Sequence, residues 1–228
     1  MNQLPVASNI EGCPLMVLPA TQRSRRRNTA GAAAIEFVLI SSFIIVPIIL
    51  GLFTYGFAII RAMQAVQLTR DVAHMYAQGT DFAKQGMQDL LSQRLAQQLS
   101  LQSNSGNVTG GTSGNGVVVL STFEKIGAAQ CPGCNNVGHV VLMRRIVIGN
   151  NTVFQTTYGT PNTALLDAAT GYIKNYTSDA SARADSVSNF LTLNDGEIAY
   201  MAESYFTAPD LVVPGIFTGL NSYSNATF

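Results

Sequence analysis

Tryptophan is absent from the 228 residues, histidine occurs twice, cysteine three times, and only 11% of positions are charged. Soluble domains carry about 25% charge, and much of the shortfall here is concentrated in a single apolar block. The 13 basic and 13 acidic residues cancel, so no overall field points to a nucleic-acid partner. A structural zinc site needs four ligands. The one CxxC pair, Cys131-Pro132-Gly133-Cys134, has no second pair, and His139 is the sole nearby histidine. Neither a Gly-x-Ser-x-Gly elbow, nor a phosphate loop, nor a dinucleotide fingerprint occurs, and no internal repeat is present. Glu197 and Glu203 lack any spacing specific to acid–base catalysis. The reading is therefore of a non-enzymatic chain with no cofactor and no metal.

What is abundant is apolar length. From Ala32 to Ile60 the sole charge is Glu36. About 29 helical residues reach about 43 Å, whereas roughly 20 suffice to cross a bilayer core. A membrane-spanning helix over 32–60 is expected, with the lipid bilayer as its partner. A secretory signal would have a shorter apolar region followed by small residues; here Ala30 to Ala34 precede the run. The twin-arginine possibility at Ser24 to Arg27 fails for the same reason. Cys13 has Glu11 and no apolar stretch before it, which removes a lipoprotein site. Arg23, Arg25, Arg26 and Arg27 flank the run on one side, against Arg61 and Arg70 on the other. Positive flanks stay cytoplasmic, so residues 1–31 form a basic cytoplasmic leader and the C-terminal part is translocated. Met16 offers a second start within that leader.

Beyond Ile60 the helix is expected to continue, with Met63, Val66, Arg70, Ala73 and Tyr76 as a stripe of mainly apolar residues. Pro47 and Gly51 are candidate bends, and Gly79 a stop. A second amphipathic helix is expected from Asp81 to Leu101, capped by Thr80, with Phe82, Leu90, Leu91, Leu95 and Leu99 on one side. The extracytoplasmic helical region is 61–102, and 103–228 is a loop-rich sheet domain. Residues 103–116 read as a flexible loop. Strands are expected at 117–120 and 139–148, the latter forming a hairpin with 152–158 through Gly149-Asn150-Asn151. A short helix is expected within 163–176, a strand over 197–206, and an irregular tail after Pro209 and Pro214. The fold class is α+β, a long N-terminal helix packed on a small antiparallel sheet. In an oxidising exported compartment the CxxC motif reads as a disulfide closing a tight loop, with a redox pair or half a zinc site as the alternatives.

One stretch joins four features in order: the basic leader Arg25-Arg26-Arg27, then Gly31, then Glu36 five residues on, then the long apolar helix. This resembles the processing site of type III and type IV prepilins, where a membrane-embedded aspartic peptidase cuts after the glycine. The resemblance implies cleavage between Gly31 and Ala32, with Arg25, Arg26, Arg27 and Glu36 used for peptidase recognition and assembly. It also implies that Glu36 pairs with the free ammonium of Ala32 on a neighbouring subunit. Many type IV pilins start with Phe after cleavage; the Ala here is compatible with the tight-adherence branch. Residues 33–79 resemble the N-terminal region of TadE-like (tight-adherence) pseudopilins, and Asp195–Phe206 resembles a late strand of that family. The implied protein is a minor pilin or pseudopilin of pilin-like fold. Its implied partners are a prepilin peptidase and other pilin or pseudopilin subunits, at the bacterial inner membrane or in the pilus. Two rivals remain open: an uncleaved single-pass anchor displaying a binding domain, and an envelope thiol enzyme using Cys131 and Cys134.

Overall fold

In the computed structural model, residues 29–208 and 221–228 are described. The leader with Arg25, Arg26 and Arg27, and the tail positions Pro209 and Pro214, lie outside these. The chain divides into two compact units, Met1–Ile48 and Ile49–Phe228. Helix α1, Thr29–Ala77, continues through Pro47, and is long and apolar enough to cross a membrane. Large apolar side chains from Ile35 to Ile60 are exposed along it.

The second unit begins to bury α1 at Ala58 and continues with Ala65, Leu68, Thr69, Val72, Ala73 and Tyr76. Of the expected stripe Ala73 and Tyr76 are buried, whereas Met63 and Arg70 are exposed. Ala65, Leu68, Thr69 and Val72 take the buried positions in their place. Two hydroxyl pairs stitch the contact, Thr69 to Ser204 at 2.5 Å and Tyr76 to Thr122 at 2.7 Å. The helix ends as expected near Gly79, at φ +88°. Thr80 N–H donates to the Met75 carbonyl and Gly79 N–H to that of Tyr76, the paired bonds of a Schellman stop.

The expected second helix is mostly replaced by irregular turns. Helix α2 covers only Gln85–Leu90, has Lys84 rather than Thr80 at its N-cap, and runs into a wider turn at Leu91–Leu95 and a tighter one at Gln97–Leu99. Phe82, Leu91, Ala96, Leu99 and Leu101 all enter the core, whereas Leu90 and Leu95 are exposed. No single 3.6-residue period buries that set. Buried Gln88 fixes the path instead. Its Nε2 donates to the carbonyls of Phe82 and Asn107, and its Oε1 accepts from Asn104 and Gly106 N–H.

Five strands form one mixed sheet in the order β1-β3-β2-β4-β5. They are β1 Thr109–Gly111, β2 Gly116–Lys125, β3 Val140–Asn150, β4 Ile198–Thr207 and β5 Asn221–Thr227. Only β1, inside the expected loop, pairs in parallel; the other three pairings are antiparallel. Central β2 is buried on both faces, as its run of Val117 to Leu120 suits. On one face Val118, Leu120, Ile146, Ile148, Ala202 and Phe206 pack with the α1 stripe. On the other, Phe123, Leu142 and Met201 pack with Ile173, Ala184 and Val187. A bulge between Thr122 and Phe123 brings Leu142 to this second face.

The expected hairpin of 139–148 with 152–158 does not form. Strand β3 pairs with β2 and β1, and 152–158 holds no strand. Thr152 N–H and hydroxyl both donate to Asn150 Oδ1, turning the chain over the sheet. There Phe154 stacks on Tyr205 with ring centroids 5.4 Å apart. The short helix expected within 163–176 shrinks to one turn, Thr163–Leu165.

Candidate functional site

Three places hold the residues that could carry function. The first is the start of α1. Gly31, Ala32 and Glu36 all lie on the helix and all are exposed. A Cβ at Gly31 would meet nothing within 4 Å, so no packing among the described residues demands a glycine there. Exposure of Glu36 leaves its carboxylate free to meet a group outside the chain.

The second place is the loop between β2 and β3. Cys131 and Cys134 are joined in a disulfide. The sequence neighbour that might have completed a metal set, His139, faces Asp185 instead, with Nδ1 3.0 Å from Oδ2. Among the described residues no group of three or more His, Cys, Asp or Glu side chains is placed to hold a metal ion. Just past the disulfide, Asn136 is fully buried. Its amide donates to the carbonyls of Tyr176 and Asp179 at 2.7 Å each, and its Oδ1 accepts from Arg183 Nε at 2.8 Å. The disulfide loop therefore braces the 175–183 segment that covers the second face of the sheet. Breaking the disulfide should cost about 2 kcal/mol, the loop-entropy value for so short a ring. The expected outcome is a lower denaturant midpoint for full-length protein in reductant, matched by the Cys131→Ser/Cys134→Ser variant, with the fold retained.

The third place was not marked in the sequence. On the second sheet face, each of four strands contributes one polar residue: Ser121, Arg145, Glu203 and Tyr223. Arg145 is 9% exposed and Glu203 1%. Arg145 donates from Nε to Ser121 Oγ at 3.3 Å and from Nη1 to the Gly159 carbonyl at 2.7 Å, and Nη2 donates to the Tyr158 carbonyl. Burial lowers its pKa to about 10, with Glu203 opposing, so it stays charged at neutral pH. Glu203 Oε1 accepts from the Tyr223 hydroxyl at 3.0 Å, while Oε2 is buried with no hydrogen bond. Burial raises the Glu203 carboxyl; the Thr156 and Tyr223 hydroxyls and the Arg145 charge only partly oppose this. The cluster pins the segment leading to Gly159 onto the sheet and ties β5 to β4. The strand expected over 197–206 held Glu203, but nothing local in the sequence showed that both of its faces are covered.

A raised folded-state pKa means that Glu203 favours the fold most when protonated in both states, below its ordinary 4.5. That contribution is lost as pH rises through the folded value. Asp167 and Asp179 are lowered, by the backbone N–H groups of Ala169 and Thr170 and by the Ser181 hydroxyl and N–H respectively; their contributions run the other way, lost as pH falls. The difference in stability between wild type and Glu203→Gln isolates the first effect. The Gln variant should gain relative stability as pH rises from about 4.5, read from urea midpoints across a pH series.

No family model, curated protein or solved structure matches the chain.

Proposed function

We propose that this chain is a membrane-anchored minor pilin or pseudopilin of the tight-adherence type. A prepilin peptidase cuts it after Gly31, and its helix then packs with those of other pilin or pseudopilin subunits. The observation that carries the reading is a single 49-residue helix. It opens with Gly31 and Glu36 in an exposed apolar stretch and closes packed on a five-stranded sheet. A carboxylate costs about 2.5–3.5 kcal/mol at the bilayer centre on insertion scales; Glu36, at the end of the apolar core, bears part of that cost, which favours a partner for it. In the proposed assembly the partner is the Ala32 ammonium of a neighbouring copy, created by the cut. The N-terminus is cytoplasmic before processing, and the sheet domain is extracytoplasmic at the bacterial inner membrane.

The test is the mature N-terminus, read by mass spectrometry on protein from membranes with and without the host's prepilin peptidase. The expected result is a chain beginning at Ala32, lost when the peptidase is deleted. An intact leader in both strains would overturn processing and favour the uncleaved anchor.

A further inference from the structure

Within the second unit a cavity of about 210 Å³ opens between α1 and the ends of β4 and β5. Its walls are apolar: Tyr55, Ala58 and Ile59 from α1, with Leu99, Phe206 and Ala208 from the head. Its rim is polar, carrying Arg61, Gln98, Asn115, Asn221 and Ser222. Apolar walls around a volume of this size suit an apolar guest.

The position of the cavity along the helix says what that guest is. Ala58 is already buried by the head, while Phe57, Ile59 and Ile60 in the same turns are exposed. The head therefore begins to cover α1 before the apolar run has ended. A core of roughly 20 residues, centred on the run 32–60, ends near position 56. The turns from Tyr55 to Ala62 then stand at the edge of the hydrocarbon, where acyl chains meet headgroups. Tyr55 and Ile59 belong both to the exposed apolar run and to the cavity wall, so the wall is continuous with the lipid-facing surface.

We propose that this cavity takes the upper part of one acyl chain of a bilayer phospholipid, with the headgroup against the polar rim. The inference rests on the membrane-anchor reading of α1. It adds that the head is seated on the bilayer by a bound lipid and does not swing freely above it. An apolar wall with a rim of amides, hydroxyls and the Arg61 side chain suits the acyl chain and glycerol of a phospholipid.

Full-length protein is reconstituted in vesicles of phosphatidylethanolamine and phosphatidylglycerol, a fraction of which carries a photoreactive diazirine near the start of the acyl chain. Labelled residues are mapped by mass spectrometry. The expected result is labelling of Phe53 and Phe57 on the helix together with Leu99, Phe206 and Ser222 of the head. Ala62→Phe and, from the opposite wall, Ser222→Leu fill the cavity; each should lower labelling of Leu99 and Phe206 about tenfold, the equivalent of roughly 1.4 kcal/mol, with helix labelling unchanged. Labels confined to the helix, or head labels indifferent to both fillings, would overturn the lipid site and leave the anchor standing. No labels on the helix would overturn the anchor reading together with the site.

Discussion

Arg145→Met should cost the head about 3–5 kcal/mol, since each buried acceptor left unsatisfied costs about 1–3 kcal/mol. Domains of this size hold only about 5–15 kcal/mol in all, so the variant is expected to be marginal. Three losses combine. The carbonyls of Tyr158 and Gly159 lose their donors, Ser121 Oγ loses one, and Glu203 is left buried without the nearby positive charge. The guanidinium does not bond the carboxylate directly; its charge favours the carboxylate weakly through space while its N–H groups bond the loop. That geometry makes a second variant informative. Arg145→Met combined with Glu203→Leu removes the uncompensated charge but leaves the two carbonyls orphaned. It should recover part of the loss and not all of it. Denaturant unfolding of full-length protein, followed by circular dichroism, checks both. A loss below about 1 kcal/mol for the single variant, the worth of an ordinary hydrogen bond, would mean that water replaces the guanidinium and that the loop is not held by it.

The parts of this fold that could be read from sequence are those whose signals are local. The apolar run of α1 and the Gly79 stop are properties of consecutive residues, as are the Val-rich core of β2 and the aromatic-rich run of β4. The structure differs where position depends on something distant. The α1 stripe holds at Ala73 and Tyr76 but differs before them, because Ala65 and Thr69 look neutral until a sheet is known to lie against them. Gln88 ends the regular part of the second helix through bonds to residues up to 19 positions away. The hairpin expected after Gly149 is displaced because Phe154 finds Tyr205, and because β1 takes the edge of β3. Strand β5 escaped notice because Asn, Ser and Thr fill it; its one buried side chain, Ser224, sits opposite Ser204 in β4. The same limit hid the Arg145–Glu203 cluster, whose four residues come from four strands. The CxxC motif, by contrast, closes on itself, and the disulfide reading needed only the spacing and the compartment.

Glu36→Gln should lower incorporation into assembled fibres by roughly tenfold while leaving membrane insertion intact. A carboxylate costs about 2.5–3.5 kcal/mol at the bilayer centre; Glu36 stands at the end of the apolar core, where about half of that applies, and in the proposed assembly it is offset by the ammonium of Ala32 on a neighbouring copy. Removing the charge removes that offset from assembly, and each 1.4 kcal/mol is a factor of ten. Insertion runs the other way, because a neutral side chain enters the bilayer more easily than a charged one. A general defect in the helix would impair both steps, so the two readouts separate a lost pairing from a damaged anchor. Within the chain itself Glu36 is exposed, so the substitution leaves no unpaired partner and should not move the unfolding midpoint of the head. Glu36→Asp keeps the charge on a shorter stem and should assemble at an intermediate level. The measurement is the amount of protein in sheared surface fibres relative to the membrane fraction, for the three forms expressed at equal level. If Glu36→Gln assembles as wild type does, the intersubunit pairing is wrong. The exposed carboxylate then has a different role, and an anchor that never polymerises becomes the better account of this helix.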